Sequence, residues 1–193
     1  MKTLIIYSSV HGNTEKIAKA IAEVMNAELK KVDDAIADDI KNYDLIGFGS
    51  GIYYGRHHKN LLKFAENVNG NGKKAFIFST SSGKKLPVIN NFDKALLKKL
   101  SRKGFTVIGN FNCRGNKAYY NTPGLIIRPF CGQKEEDRPN AEDIEKAKKF
   151  AENMKKLFSE TNFHKFALPV SCYDFYITSE LFVKCVISCI HFK

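Results

Sequence analysis

The chain has 193 residues, 44% of them apolar, a formal net charge of +11 and five cysteines. This is the profile of one globular domain with a sizeable core, or of one domain plus an appendage. The cysteines, Cys113, Cys131, Cys172, Cys185 and Cys189, are odd in number, lie in the second half and form no C-x-x-C pair, which argues against a disulfide framework, a ferredoxin cluster or a zinc ribbon. The opening residues lack the charged, apolar and cleavage-site regions of a leader, and no apolar run reaches the length of a membrane span. The expectation is a cytoplasmic protein with reduced thiols.

In chain order, residues 3–7 form an apolar run that predicts a strand. Residues 14–25 follow with Ile17, Ala18, Ile21 and Val24 at helical spacing. Between them lies a small-polar turn, Ser8 to Thr14. A strand, a hydroxyl-rich turn and a helix start make a phosphate cradle, because free N–H groups converge there and the helix dipole adds positive potential. Helix capping by Asn13 or Thr14 is the purely structural alternative. Residues 27–32 alternate weakly, as a short edge strand does. Residues 44–49 read as a buried strand ending in glycine, and 59–68 as a helix. A strand follows over 74–79, then a helix over 92–102 stopped by Gly104, a strand over 105–111 and a helix over 140–158. Strands alternating with helices imply a parallel sheet covered on both faces.

Three turns leave the carboxyl ends of these strands, where ligands sit in such sheets. They are Ser8–Thr14, the run Gly49-Ser50-Gly51-Ile52-Tyr53-Tyr54-Gly55-Arg56, and Ser79-Thr80-Ser81-Ser82-Gly83. Tyrosines supply planar faces, and glycines let main chain approach a ring edge. His57 and His58 follow the second turn. Adjacent histidines on a helix point in different directions, so joint metal binding is not expected and a surface position is; a proton donor at the rim is the alternative.

Ser9, Gly12, Asn13 and Thr14 match the phosphate loop of the flavodoxin family, and the chain resembles that family over residues 1–158. The loop is neither a Walker P-loop nor a G-x-G-x-x-G fingerprint. The stretch Gly109–Gly115 and the helix entry Arg138-Pro139-Asn140-Ala141-Glu142-Asp143 are similar to segments of small flavodoxin-domain proteins. The resemblance implies an α/β three-layer sandwich with a five-stranded parallel sheet of order 2-1-3-4-5 and helices on both faces. It implies FMN as cofactor. Ser9, Val10, His11, Gly12, Asn13 and Thr14 would take the phosphate. Ser50, Gly51, Ile52, Tyr53 and Tyr54 would flank the ring, and Ser79, Thr80, Ser81 and Gly83 would line its other side.

The functional expectation is an FMN-binding electron carrier with no catalytic residue and no metal of its own. The run Ser50–His58 also resembles menaquinone-dependent protoporphyrinogen oxidases, so a flavin oxidoreductase of that or the quinone reductase type is the alternative. A non-flavin binding module on the same fold is the alternative of another class. Residues 1–50 hold six Lys/Arg against eight Asp/Glu, which leaves +13 for the remainder, including Lys84, Lys85 and the segment 94–103. A solvated lysine-rich face explains this; the functional reading is a docking surface for an acidic redox protein, with no specific nucleic-acid site. Residues 159–193, rich in Phe and Tyr, are expected to be an extension packed on the domain, with a partner or membrane-surface contact as the alternative.

Overall fold

The computed structural model describes residues 1–82, 91–115 and 138–166, with side chains up to 160. Gly83, Lys84, Lys85, four of the cysteines and most of the extension lie outside the described residues. The described elements are β1 (Thr3–Ser8), α1 (Asn13–Met25), β2 (Glu28–Lys31), a 3-10 turn (Ala37–Asn42), β3 (Leu45–Tyr53), β4 (Arg56–His57), α2 (Lys59–Asn67), β5 (Lys74–Ser81), α3 (Lys94–Arg102), β6 (Thr106–Arg114) and α4 (Ala141–Phe166).

The parallel strands run β2-β1-β3-β5-β6, and the two-residue β4 turns back antiparallel on β3. With β4 set aside, this is the expected order of five. One face of the sheet carries Leu4, Ile6, Ile46, Phe48, Ala75 and Ile77 under α2 and α3. The other carries Ile5, Tyr7, Leu45, Phe76 and Phe78 under α1 and α4. The period-2 alternation of strands therefore builds both cores. Helix α1 turns Ile17, Ala18, Ile21 and Met25 to the sheet. Full burial of an isoleucine contributes roughly 1.5–3 kcal/mol. The helix stops at Asn26, which adopts the left-handed conformation (φ 48°) and returns its N–H to the last turn.

Strand β3 is the pivot of the sheet. Gly47 and Gly49 lie beneath the rings of Phe76 and Phe78 from β5, and a Cβ on Gly49 would come within 2.0 Å of Phe78 Cζ. These glycines make room for two aromatics on the neighbouring strand. The strand does not end at 49 as its sequence suggests but continues to Tyr53. A two-residue turn, Tyr54-Gly55 with both φ positive (49° and 73°), then joins it to β4. Positive φ at both positions is what a tight hairpin with the right twist demands.

Apolar side chains stop short of the carboxyl ends of the strands. Above Ile6, Phe48 and Phe78 comes a buried polar tier of Ser8, Ser50, Ser79, Thr80 and Ser81. Among the described residues, no helix is long and apolar enough to cross a membrane.

Helix α4 runs past the expected end at 158 to Phe166, while the first compact unit closes at Glu160. Its anchors, Ala147, Ala151 and Met154, all precede that point. A chain ending at Glu160 is therefore expected to unfold cooperatively within a few degrees of the full chain. Thermal unfolding followed by circular dichroism checks this, and a non-cooperative melt would place the extension in the core.

Candidate functional site

The turn after β1 meets α1 at Gly12, whose φ of 77° favours glycine. Gly12, not Asn13 or Thr14, is the N-cap residue, and no side-chain hydrogen bond is made from that position. Among the described residues, nothing lies within 4 Å of a Cβ on Gly12, so they leave open space against the helix start. Ser9 Oγ accepts the Glu15 N–H at 3.3 Å, which leaves its own proton available. Val10 is 58% exposed at the tip of the turn. Thr14 is buried, and its hydroxyl lies 2.8 Å from that of Thr80. That bond ties the first turn to the end of β5. Gly115, just beyond β6, packs against Asn13: a Cβ there would stand 3.0 Å from Asn13 Nδ2.

The second group of expected residues lies on a strand and not in a loop. Ser50, Gly51, Ile52 and Tyr53 all belong to β3. The Tyr53 ring folds back over Gly51 and meets the His58 ring edge-on, with centroids 5.4 Å apart. Tyr54 points away, at 95% exposure. Of the two tyrosines, Tyr53 is the one that packs beside Gly51. The third group is likewise strand and not turn up to Ser81: Ser79, Thr80 and Ser81 are the last residues of β5. Asn112 Nδ2 donates to Ser79 Oγ at 2.9 Å and to Ser81 Oγ at 3.3 Å, so these hydroxyls face β6.

Both histidines depart from the expected surface position. His57 is 2% exposed, with Nδ1 2.9 Å from Ser50 Oγ and Nε2 2.9 Å from Asp93 Oδ1. Asn110 Nδ2 donates to the other Asp93 oxygen at 3.2 Å. His58 caps α2, accepting the Asn60 N–H on Nδ1, and Ser8 Oγ lies 2.9 Å from the same nitrogen. Burial pushes the His58 imidazole below its ordinary value, helped by the Lys59 charge and opposed by Asp33. Protonating Nδ1 would also cost the Asn60 N–H bond, while the Ser8 hydroxyl can turn to accept. The sign follows: a lowered folded value stabilises the fold above about pH 6.5 and loses that contribution as pH falls through and below it. Urea midpoints between pH 8 and pH 5 are expected to fall more steeply for the wild type than for His58→Asn, which retains an acceptor but cannot titrate.

Cys113, opposite Thr80 on β6, is buried, and burial pushes its thiol up to about 12. Asp143 adds to that rise and Arg138 opposes it. Such a thiol is inert at neutral pH. Among the described residues, no cluster of His, Cys, Asp or Glu is suited to hold a metal.

Sequence reasoning did not find Asp93. Nothing near it marks it, since its partner His57 is 36 positions away. His57 carried a signal in the preceding Tyr54-Gly55 pair, which fits a hairpin turn and places the next residues back on the sheet.

A family model described as a flavodoxin domain matches residues 4–121. The chain belongs to the flavodoxin family. An uncharacterized protein of Methanocaldococcus jannaschii is 47% identical over 158 residues, which cover 81% of this chain and 99% of that one. A protein named flavodoxin from Maridesulfovibrio salexigens is 31% identical over 121 residues, covering 56% and 82% of the two chains. Among solved structures, oxidised Flavodoxin 1 from Bacillus cereus superposes with a TM-score of 0.57 at 24% identity, covering 81% of this chain and 98% of that one. It shows the same fold.

Proposed function

We propose that this flavodoxin-family chain binds FMN and carries electrons between redox proteins. The observation that carries the reading is the cradle at the start of α1. Gly12 is left-handed, the described residues leave open space above it, and the Ser9 hydroxyl stands beside a helix N-terminus. The first-turn N–H groups of a helix have no intrahelical partners, and its dipole favours an anion. A phosphate fits that set of donors. In this reading Ser9, the Val10 backbone, His11, Gly12, Asn13 and the helix start at Thr14 hold it. The ends of β3 and β5, from Gly51 to Tyr53 and from Ser79 to Ser81, border the ring. When bound, the flavin supplies the redox chemistry. The chain orients it and shields one side from water.

The test is the purified protein itself. Reconstituted with FMN, it should be yellow, quench flavin fluorescence at one equivalent, and release FMN on denaturation. A colourless chain that does not quench FMN overturns the reading.

The partner in this proposal is acidic. The chain carries +11, and Arg56 and Lys59 are exposed beside the hairpin that borders the site. Exposed charges act on encounter rate, and salt screens them over roughly 8 Å at physiological ionic strength. Reversing both, Arg56→Glu with Lys59→Glu, is expected to slow reduction of a negatively charged acceptor about ten-fold at low salt. The rates should converge at high salt. Rates that coincide at low salt would make these side chains a solvated face only.

A further inference from the structure

The Ser50 hydroxyl is claimed from three sides. It is fully buried and accepts the His58 backbone N–H at 3.0 Å. Two acceptors then compete for its proton: His57 Nδ1 at 2.9 Å and the Gly51 carbonyl at 3.0 Å. A hydroxyl has one proton and cannot serve both.

Asp93 decides between them. Its Oδ1 stands 2.9 Å from His57 Nε2, and both side chains are shut off from solvent. A carboxylate only accepts, so the Nε2 carries a proton. With the ring neutral, Nδ1 is bare and accepts the Ser50 proton; an imidazolium would instead donate from Nδ1 and leave that proton to Gly51. Serine, histidine and aspartate also make hydrolytic relays, but that chemistry is ruled out here. The Ser50 side chain is inaccessible, and its oxygen is already occupied by the His58 N–H.

Gly51 is where this matters. It lies at the carboxyl end of the sheet, in register with Thr80 and beneath the Tyr53 ring. That end of an open parallel sheet is where ligands bind. We propose that His57, pinned by Asp93, is a positioning residue of the ring site. It draws the Ser50 proton away from the Gly51 carbonyl, and so leaves that carbonyl to a hydrogen-bond donor on the edge of a planar ligand. The inference rests on the flavin reading above and adds two residues that do not touch the ligand themselves.

The experiment uses the full chain, with riboflavin and FMN as probes followed by fluorescence quenching, and ring ¹⁵N shifts of His57 measured without ligand. In the wild type His57 is expected as the neutral Nε2–H tautomer. Asp93→Ala releases that constraint, and affinity for both flavins should fall about ten-fold, the worth of one hydrogen bond. Asp93→Asn keeps an oxygen for Nε2–H, and the Asn110 amide can turn to suit it. This variant should bind within about two-fold of the wild type. Adding Ser50→Ala to Asp93→Ala removes the competing proton and should restore binding, a rescue that a merely structural role would not produce. An Nδ1–H tautomer or an imidazolium in the wild type overturns the proposal whether or not the variants fold. So does riboflavin binding by Asp93→Ala that equals the wild type. A wild type that binds neither flavin removes the flavin reading and this proposal with it.

Discussion

Gly49→Ala is expected to destabilise the domain by about 3 kcal/mol, at the upper end of what overpacking a core costs. The new methyl would meet the tip of the Phe78 ring at 2.0 Å, where a real Cβ never stands. Phe78 is fully buried between the sheet and its helical cover, so its ring has nowhere to retreat. Strand β3 is hydrogen-bonded to β1 and β5 on either side and cannot move away without breaking one of them. For a domain of this size the loss corresponds to a melting temperature lowered by roughly 10 °C. Urea unfolding of the single variant, of Phe78→Leu and of the pair checks the cause. A shorter side chain at 78 frees the space over residue 49, so the double variant should be less destabilised than the two single losses added together. Strict additivity would show that the collision is not the mechanism.

Gly12→Val is expected to weaken FMN about 100-fold while riboflavin changes by less than about three-fold. The substitution puts a branched side chain into the open space at the start of α1. Losing two charge-assisted hydrogen bonds there corresponds to about 3 kcal/mol, and a tenfold change is about 1.4 kcal/mol. Riboflavin has no phosphate and should report only the ring site. The residue also sits at φ 77°, which strains any β-branched side chain, so part of the effect appears as lower stability. Comparing the two ligands on one folded variant separates these contributions. Equal weakening of both would mean that this turn does not hold the phosphate.

The alternation of strands and helices was legible because it is local. Ile17, Ala18 and Ile21 recur at helical spacing, and the apolar runs at 3–7 and 74–79 are short and β-branched or aromatic. From these, and from the turn before α1, the fold class and the strand order follow through the family resemblance. The course of β3 was not legible. Its Gly-Phe-Gly-Ser-Gly run looks like a strand breaking into a loop, yet the glycines are set by rings on β5, about 30 positions later in the chain. The expected ring-flanking loop is therefore strand up to Tyr53. The Ser50–His57–Asp93 connection was hidden for the same reason: each bond joins residues of different elements, and a His-His pair read alone suggests a surface. Thr14 illustrates the intermediate case. Its place at the helix start was read correctly, but only the assembled sheet shows its hydroxyl turned to Thr80.

The buried polar tier has a consequence for how the molecule opens. Hydroxyl-bearing residues at the ends of β1, β3 and β5 contribute little apolar burial, while Ile6, Phe48, Phe76 and Ile77 beneath them are wholly enclosed. Cooperative units of differing stability are drawn along such boundaries. Amide protons in the middle of β3 should exchange only through global unfolding, whereas those near Gly51 and Tyr53 should exchange through smaller fluctuations that leave the lower sheet intact. The rim can therefore loosen to admit or release a ligand while the lower sheet stays closed.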